Sequence, residues 1–406
     1  MRLEALKVAP PGVRQEGIAD PLVDALVMVR RALLLLAYAL ATGAFFEGTA
    51  RLALSNDAFF RRVAGEDESS WRLRWVARHR KQRRIYFEFD VHHPTRGWAL
   101  RPGIRDMKVF GGKVLNSNSR GLRGRREYTY DKPEGIARIL VLGDSFTFGE
   151  EVSDDETYSH YLEKIMPGTE VLNLGVHGYG HDQMLLYLQE EGLKYHPDAV
   201  VLGFVSDDME RNLLAFRDYA KPRYVLEDGR LVLKRAVVPP PDEVMASEVY
   251  RSKFMDLLVM LGGTYRWRSG TRGEETRRLT VALLDELNAT TIRAGARAAF
   301  AYLPVYGEIT KADMAMTSRE RFFFTYCRQR GIQSMYLRRF FLKRMKEGTD
   351  FKAYGHWGPE EHRTVAEGIK AYLLEKHVIQ PPSDERRRPS HATRGRLREP
   401  IPRTRR

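Results

Sequence analysis

One cysteine, Cys327, stands in 406 residues, which excludes an intramolecular disulfide and any cysteine-rich metal site. Within TYCRQRG it reads as packing at a helix end. The histidines, among them His92, His93, His160, His196 and His362, show no metal-ligand spacing, so neither a metal nor a cofactor is expected. The glycines of GVHGYG have the wrong spacing, and lack the acidic partner, for a dinucleotide site. No nucleic-acid-binding motif accompanies the basic residues, although the formal net charge is +14. Much of that charge lies in two runs, Arg72 to Arg84 and Arg386 to Arg406. Such runs can meet anionic surfaces, but the second reads as solvated, disordered chain. An apolar content of 43% is ordinary for a globular fold, so neither a repeat array nor a disordered chain is indicated.

Long apolar runs are also scarce. From Ala32 to Phe46 the chain reads ALLLLAYALATGAFF, about fifteen residues where roughly twenty are usual for a spanning helix. Arg30 and Arg31 precede it, and such side chains reach lipid headgroups along their apolar stems. We read residues 22–54 as an uncleaved signal-anchor, ahead of a cleaved signal peptide or a helix of a soluble protein. Arg51, Arg61 and Arg62 follow the run and soften the charge asymmetry that would place the remaining chain outside the cytoplasm.

Residues 1–21, polar and containing Pro10-Pro11, predict a disordered leader, and residues 377–406 a basic disordered tail. Residues 55–135 contain YFEFDV, RGWALRPG and KVLNSNSRGLRG and predict a β-rich lead-in. From residue 136 to 376 the pattern changes. ARILVLGDS, EVLNLG and DAVVLGFV are short apolar runs ending in glycine or a turn, separated by helical stretches at 157–165 and over DQMLLYLQEEGLKY. That alternation predicts an α/β fold with a central parallel sheet and helices on both faces. An insert at about 215–275 interrupts it, with a hairpin around Asp228-Gly229. A helix over 275–296, the strand ARAAFAYLPV, a helix over 318–331 and a last helix from Pro359 to about residue 376 complete the domain.

The chemistry gathers at GDSFTFG. A serine between a buried strand and a helix sits where backbone N–H groups converge, which lowers the cost of negative charge on an attacked carbonyl. Gly-Asp-Ser alone also makes ordinary turns, so the surrounding sequence carries the case. VLGDSFTFG resembles the first block of the SGNH (GDSL-like) hydrolase family, and VLNLGVHGYG the second. GHWGPEEHRTVAEGI resembles the last, in which a histidine precedes a proline-initiated helix. GWALRPG, NSRGLRG and EGTARLAL resemble a membrane-anchored bacterial branch of the same family. The resemblance spans roughly residues 30–376 and implies a three-layer, flavodoxin-like sandwich. It also implies Ser145 as nucleophile, His356 as base and the Gly178 N–H as an oxyanion donor.

Two positions depart from the family pattern. The third block normally carries Gly-x-Asn-Asp, whose asparagine donates to the oxyanion; GFVSDDMERN puts Asp207 there. An ionised aspartate accepts and cannot donate. Asn212 is a possible substitute donor, and His177 is expected to line the substrate cleft. The family also places an aspartate two or three residues before the histidine, where this chain has Tyr354 and Ala353; Asp350 is the nearest carboxylate, and a Ser–His dyad held by a backbone carbonyl, or an acid from elsewhere in the chain, are the alternatives. Asp144 and Asp208 are expected to hold turns, and His362 to pack. The implied activity is a serine esterase acting on O-acyl, including O-acetyl, esters of carbohydrate or lipid. Two alternatives stay open: an acyltransferase modifying an envelope glycan, and a catalytically weak scaffold protein.

Overall fold

The computed structural model describes residues 21–82, 87–309, 315–351 and 355–379. The expected leader and tail, Ala353 and Tyr354 therefore lie outside the described residues, save for the ends at 21 and 377–379. The chain divides into two compact units: residues up to Val63 with Ser252–Leu258, and Ala64–Arg251 with the chain from Val259 onward.

In the first unit one helix runs over Pro21–Ser55, through Arg30 and Arg31 without a break. Its stretch Ala25–Ser55 has a mean hydropathy of 1.7 over its most apolar part, none of which is buried. Leu33 to Leu36 stand 56–69% exposed. A helix apolar on all sides and uncovered has the length and composition of a membrane span or a signal sequence. Near its C-terminal end Phe46 stacks on Phe254 at 5.1 Å, and Glu47 accepts hydrogen bonds from the N–H groups of Lys253 and Phe254.

The second unit is built on five parallel strands: β1 (Ala137–Gly143), β2 (Thr169–Gly175), β3 (Ala199–Phe204), β4 (Arg297–Tyr302) and β5 (Gln333–Tyr336). Their spatial order is β5-β4-β3-β1-β2. Every residue of β1, β2 and β3 is buried, which is why these strands read as unbroken apolar runs. The alternation of side chains still sorts them. Leu140, Leu142, Leu172, Leu174 and Leu202 face one way, onto the helices His181–Glu190, Thr271–Arg293 and Ser318–Arg330. Ile139, Val141, Val171 and Val201 face the other, onto Tyr158–Ile165, Arg338–Lys346 and Pro359–Glu375. The result is the expected three-layer α/β sandwich. Because the chain leaves β1 for β2 on one side and returns to β3 on the other, a crevice opens at the carboxyl ends of β1 and β3. Open α/β sheets bind ligands at such a switch point.

The lead-in differs from expectation at its start. Asp57–Val63 and Glu68–Gln82 are helices, and β structure begins only with the hairpins Asp90–His93/Gly97–Leu100 and Met107–Val109/Lys113–Leu115. Asp67 caps the second helix by accepting from the Ser70 N–H at 2.8 Å. Its apolar residues fall at helical spacing, with Trp75 stacked on His79, but dense basic charge hid that period. The hairpin insert pairs Arg223–Glu227 with Arg230–Arg235, and Asp228 and Gly229 both have positive φ, as its two-residue turn requires. Beyond it lie two helices, Pro241–Ser247 and Lys253–Arg268. The second restarts at Ser252, whose Oγ accepts from the Met255 N–H.

Candidate active site

β1 ends at Gly143, and a single helical turn, Ser145–Phe148, follows at once. Asp144 caps that turn by accepting from the Phe146 N–H at 3.0 Å, while its other oxygen accepts from Arg211 Nη1 at 3.0 Å. The turn lies hard against β2: a Cβ at Gly175 would come within 2.3 Å of the Phe148 nitrogen, so only glycine fits. Asn173 ties the two together, donating to the Thr147 carbonyl at 2.8 Å and accepting from the Gly175 N–H at 2.9 Å. The lead-in locks the far side. Arg123, from NSRGLRG, donates to the carbonyls of Phe148, Gly149 and Val152 at 2.7–2.8 Å.

His356 arrives on the loop before the last helix. Trp357 anchors that loop, buried to 3% exposure, with its indole N–H donating to the Pro304 carbonyl. His356 Nε2 lies 2.8 Å from Ser145 Oγ. The serine has one hydroxyl proton, and its other partner, Asp144 Oδ2, is 3.4 Å away, so the histidine takes it. For Nε2 to accept, the imidazole proton must sit on Nδ1, and Glu151 Oε1 lies 3.7 Å from that nitrogen. Glu150 stands 3.7 Å from Nε2.

Asp350 is therefore displaced as the candidate orienting acid. It is exposed and does not line the cleft, whereas Glu150 and Glu151 flank the imidazole. These two follow the serine block, where Glu151 turns the chain back in a left-handed conformation (φ 69°). At 3.7 Å, and with about a third of its side chain exposed, Glu151 acts on the imidazole more weakly than a buried, hydrogen-bonded aspartate. Glu151→Gln should lower kcat for any acyl transfer through Ser145 about tenfold, well short of the roughly 10⁴-fold typical of losing a triad aspartate. Asp350→Asn should leave it unchanged; steady-state kinetics on both variants decides between them.

Gly178 lines the cleft beside Ser145, with φ 72° and Asp218 Oδ2 2.5 Å from where a Cβ would stand. Asp207 lines it too, but carries a guanidinium partner, Arg319 Nη1 at 2.9 Å, with 56% of its side chain exposed. That is far from the apolar enclosure a neutral, donating carboxyl needs. Asn212 is not brought to the cleft. Buried, it accepts from the His181 N–H at 2.8 Å and donates to Thr280 Oγ1 at 2.9 Å, so its amide is spent on the core. Asp208 is buried against Asp144 and Arg211; burial first, then the Asp144 carboxylate, pushes its carboxyl well above the usual range. His362 packs as expected, its Nδ1 accepting from the Tyr158 N–H at 3.1 Å, and burial holds it neutral down to about 3.

His177 does line the cleft, though as half of a buried ion pair. Its Nε2 lies 2.8 Å from Asp90 Oδ2, a residue of the lead-in. Burial pulls the imidazole down, but Asp90, with Asp218 and Glu150, overrides it and raises His177 to about 9. Since the folded value exceeds the ordinary 6.5, the stabilisation is complete below 6.5 and is lost as pH rises through about 9. Thermal melts should fall between pH 7 and 9.5 in the wild type. They should be flatter in Asp90→Asn, which also costs about 3–5 kcal/mol at pH 7 by breaking the pair.

The cleft itself encloses about 860 Å³. Phe87, Phe89 and Phe110 of the lead-in pack together as one aromatic wall, and Phe146 and Val305 also line the cleft. Only the alternation in YFEFDV, which puts Phe87 and Phe89 on one face, hinted at that wall. Among the described residues no three His, Cys, Asp or Glu side chains are grouped to hold a metal.

No family model and no curated protein matches the chain. Solved structures do. TesA aligns over 60% of this chain and 99% of its own, at 12% identity and TM-score 0.36. A lipolytic G-D-S-L family protein from Veillonella parvula aligns over 59% and 97%, at 13% and 0.35. The acetylxylan esterase Axe2 from Geobacillus stearothermophilus aligns over 59% and 96%, at 13% and 0.35. In fold the chain is similar to GDSL-type hydrolases. Identities and scores this low carry no activity across, so function has to come from the geometry.

Proposed function

We propose that the chain is an SGNH-type serine esterase acting on O-acyl, including O-acetyl, esters of carbohydrate or lipid. The observation that supports it is the 2.8 Å contact between Ser145 Oγ and His356 Nε2 at a sheet switch point. His356 takes the hydroxyl proton as Ser145 attacks the ester carbonyl, and the N–H groups of Ser145 and Gly178 hold the oxyanion. His356 then passes the proton to the departing alkoxide. Water, deprotonated by the same nitrogen, cleaves the acyl-enzyme and restores the serine. The helix Pro21–Ser55 anchors the protein, and Arg30 and Arg31 favour a cytoplasmic N-terminus with the enzyme outside.

Transfer to an acceptor hydroxyl would use the same acyl-enzyme, and a second cavity adjoining the cleft favours it. Release of nitrophenolate from p-nitrophenyl acetate by the detergent-solubilised chain tests the esterase chemistry. A rate no higher in wild type than in His356→Ala would count against it.

A further inference from the structure

Beside the cleft lies a second cavity of about 710 Å³, sharing Asp207, Arg211 and Arg217 with it as a common wall. The ester chemistry makes no use of it. Eight of its fourteen lining residues are charged and Leu214 is the one aliphatic side chain, a surface on which an acyl chain would gain little. The eight are four carboxylates and four arginines, so the formal charges cancel. Nor are the guanidinium groups idle. Arg272 donates to Glu210 at 2.9 Å and to the Glu66 carbonyl at 2.5 Å; Arg319 is held by Asp207, and Arg217 by Asp218. A phosphate or an acidic chain would find no net field to draw it in.

What the cavity does offer is fixed hydrogen-bonding groups around an exposed aromatic plane. Trp267 lines it and is 71% exposed, a large indole left in water beside ordered arginines and carboxylates. Opposite hydrogen-bonding edges and an apolar face are what a pyranose presents: hydroxyls around the rim and C–H bonds on the ring face. Trp71 borders the same space, its indole N–H given to Glu66 and its ring covered by Arg217 at 4.6 Å, which makes that wall rigid.

We propose that this cavity binds an uncharged carbohydrate, one ring against Trp267, and that a hydroxyl of this sugar receives the acyl group. The second clause rests on the esterase reading above; the binding does not. In the transfer the sugar oxygen attacks the Ser145 acyl carbonyl and its proton goes to His356 Nε2. The bond from the acyl carbon to Oγ breaks, the proton passes to Oγ, and a sugar ester leaves with the serine restored.

The test uses the full chain in detergent, as wild type, Ser145→Ala and Trp267→Ala, titrated with cellotetraose, chitotetraose and tetragalacturonate by calorimetry. A neutral tetrasaccharide should bind wild type and Ser145→Ala alike, and Trp267→Ala at least about tenfold more weakly. No neutral tetrasaccharide binding, undiminished binding by Trp267→Ala, or preference for tetragalacturonate overturns the site. With p-nitrophenyl acetate as donor, mass spectrometry then reads the ratio of acetylated sugar to free acetate, which should fall about tenfold in Trp267→Ala. Binding and hydrolysis without any acetylated sugar overturns the acceptor role, whereas binding without hydrolysis removes the esterase reading and leaves the carbohydrate site standing.

Discussion

Replacing Ser145 with alanine lowers p-nitrophenyl acetate hydrolysis by about 10⁴-fold or more, with the protein still folded. The size of the effect follows from the role. A nucleophile whose oxygen forms the acyl bond has no substitute in the site, and residual catalysis comes only from bound substrate and oxyanion donors. The fold should tolerate the change. Ser145 Oγ contributes one hydrogen bond, to a histidine whose side chain is 26% exposed and can turn to water instead. A neutral bond of this kind is worth about 1 kcal/mol net. His356→Ala should cost nearly as much rate as Ser145→Ala, and the double variant little more, because the two act as a unit. A serine that served only to shape the turn would give a rate unchanged within a few-fold.

Asp207→Asn raises kcat by about 10²-fold, the opposite sign to most substitutions in a cleft. The aspartate stands in the same cleft as Ser145 and Gly178, where a developing oxyanion needs donors and a carboxylate supplies only repulsion. Asparagine has the same shape and adds an N–H donor. Its loss of the ion pair with Arg319 matters little, since both side chains are 56% exposed and such a pair contributes about 1 kcal/mol or less. Asp207→Ala separates the two effects: it removes the repulsion without adding a donor and should gain less than asparagine does. If asparagine instead slows the enzyme, the carboxylate has a task of its own, and its contact with Arg319 in the wall between the two cavities is where to look.

Legibility in the sequence followed burial. β1 to β3 are covered on both faces and β4 nearly so, so each announces itself as a short apolar run, and the glycines that end β1 and β2 mark where the chain must turn. β5 is four residues, QSMY, too short to show a period, and in the helix Arg338–Lys346 five basic residues mask the face that buries Phe341 and Leu342. The helix Glu68–Gln82 was hidden the same way. In the site, Ser145, Gly178 and His356 were readable from three blocks, and the structure sets all three around one cleft. What pattern could not supply was the direction of long-range contacts. Glu151 reaches His356 from the wrong side of the chain because of one left-handed residue. Asp90 reaches His177 because the lead-in folds back over the second block, its Trp98 indole donating to the His177 carbonyl at 2.9 Å. Asn212 looked like a donor by position and is consumed by His181 and Thr280.

The most direct measurement is fluorophosphonate labelling of the full-length protein in detergent, with Ser145→Ala and His356→Ala alongside. An activated serine at the head of this sheet gives labelling in wild type, none in Ser145→Ala and a much slower rate in His356→Ala. A folded wild-type protein that takes no label, or a label that survives in Ser145→Ala, would contradict the assignment of Ser145 as the nucleophile.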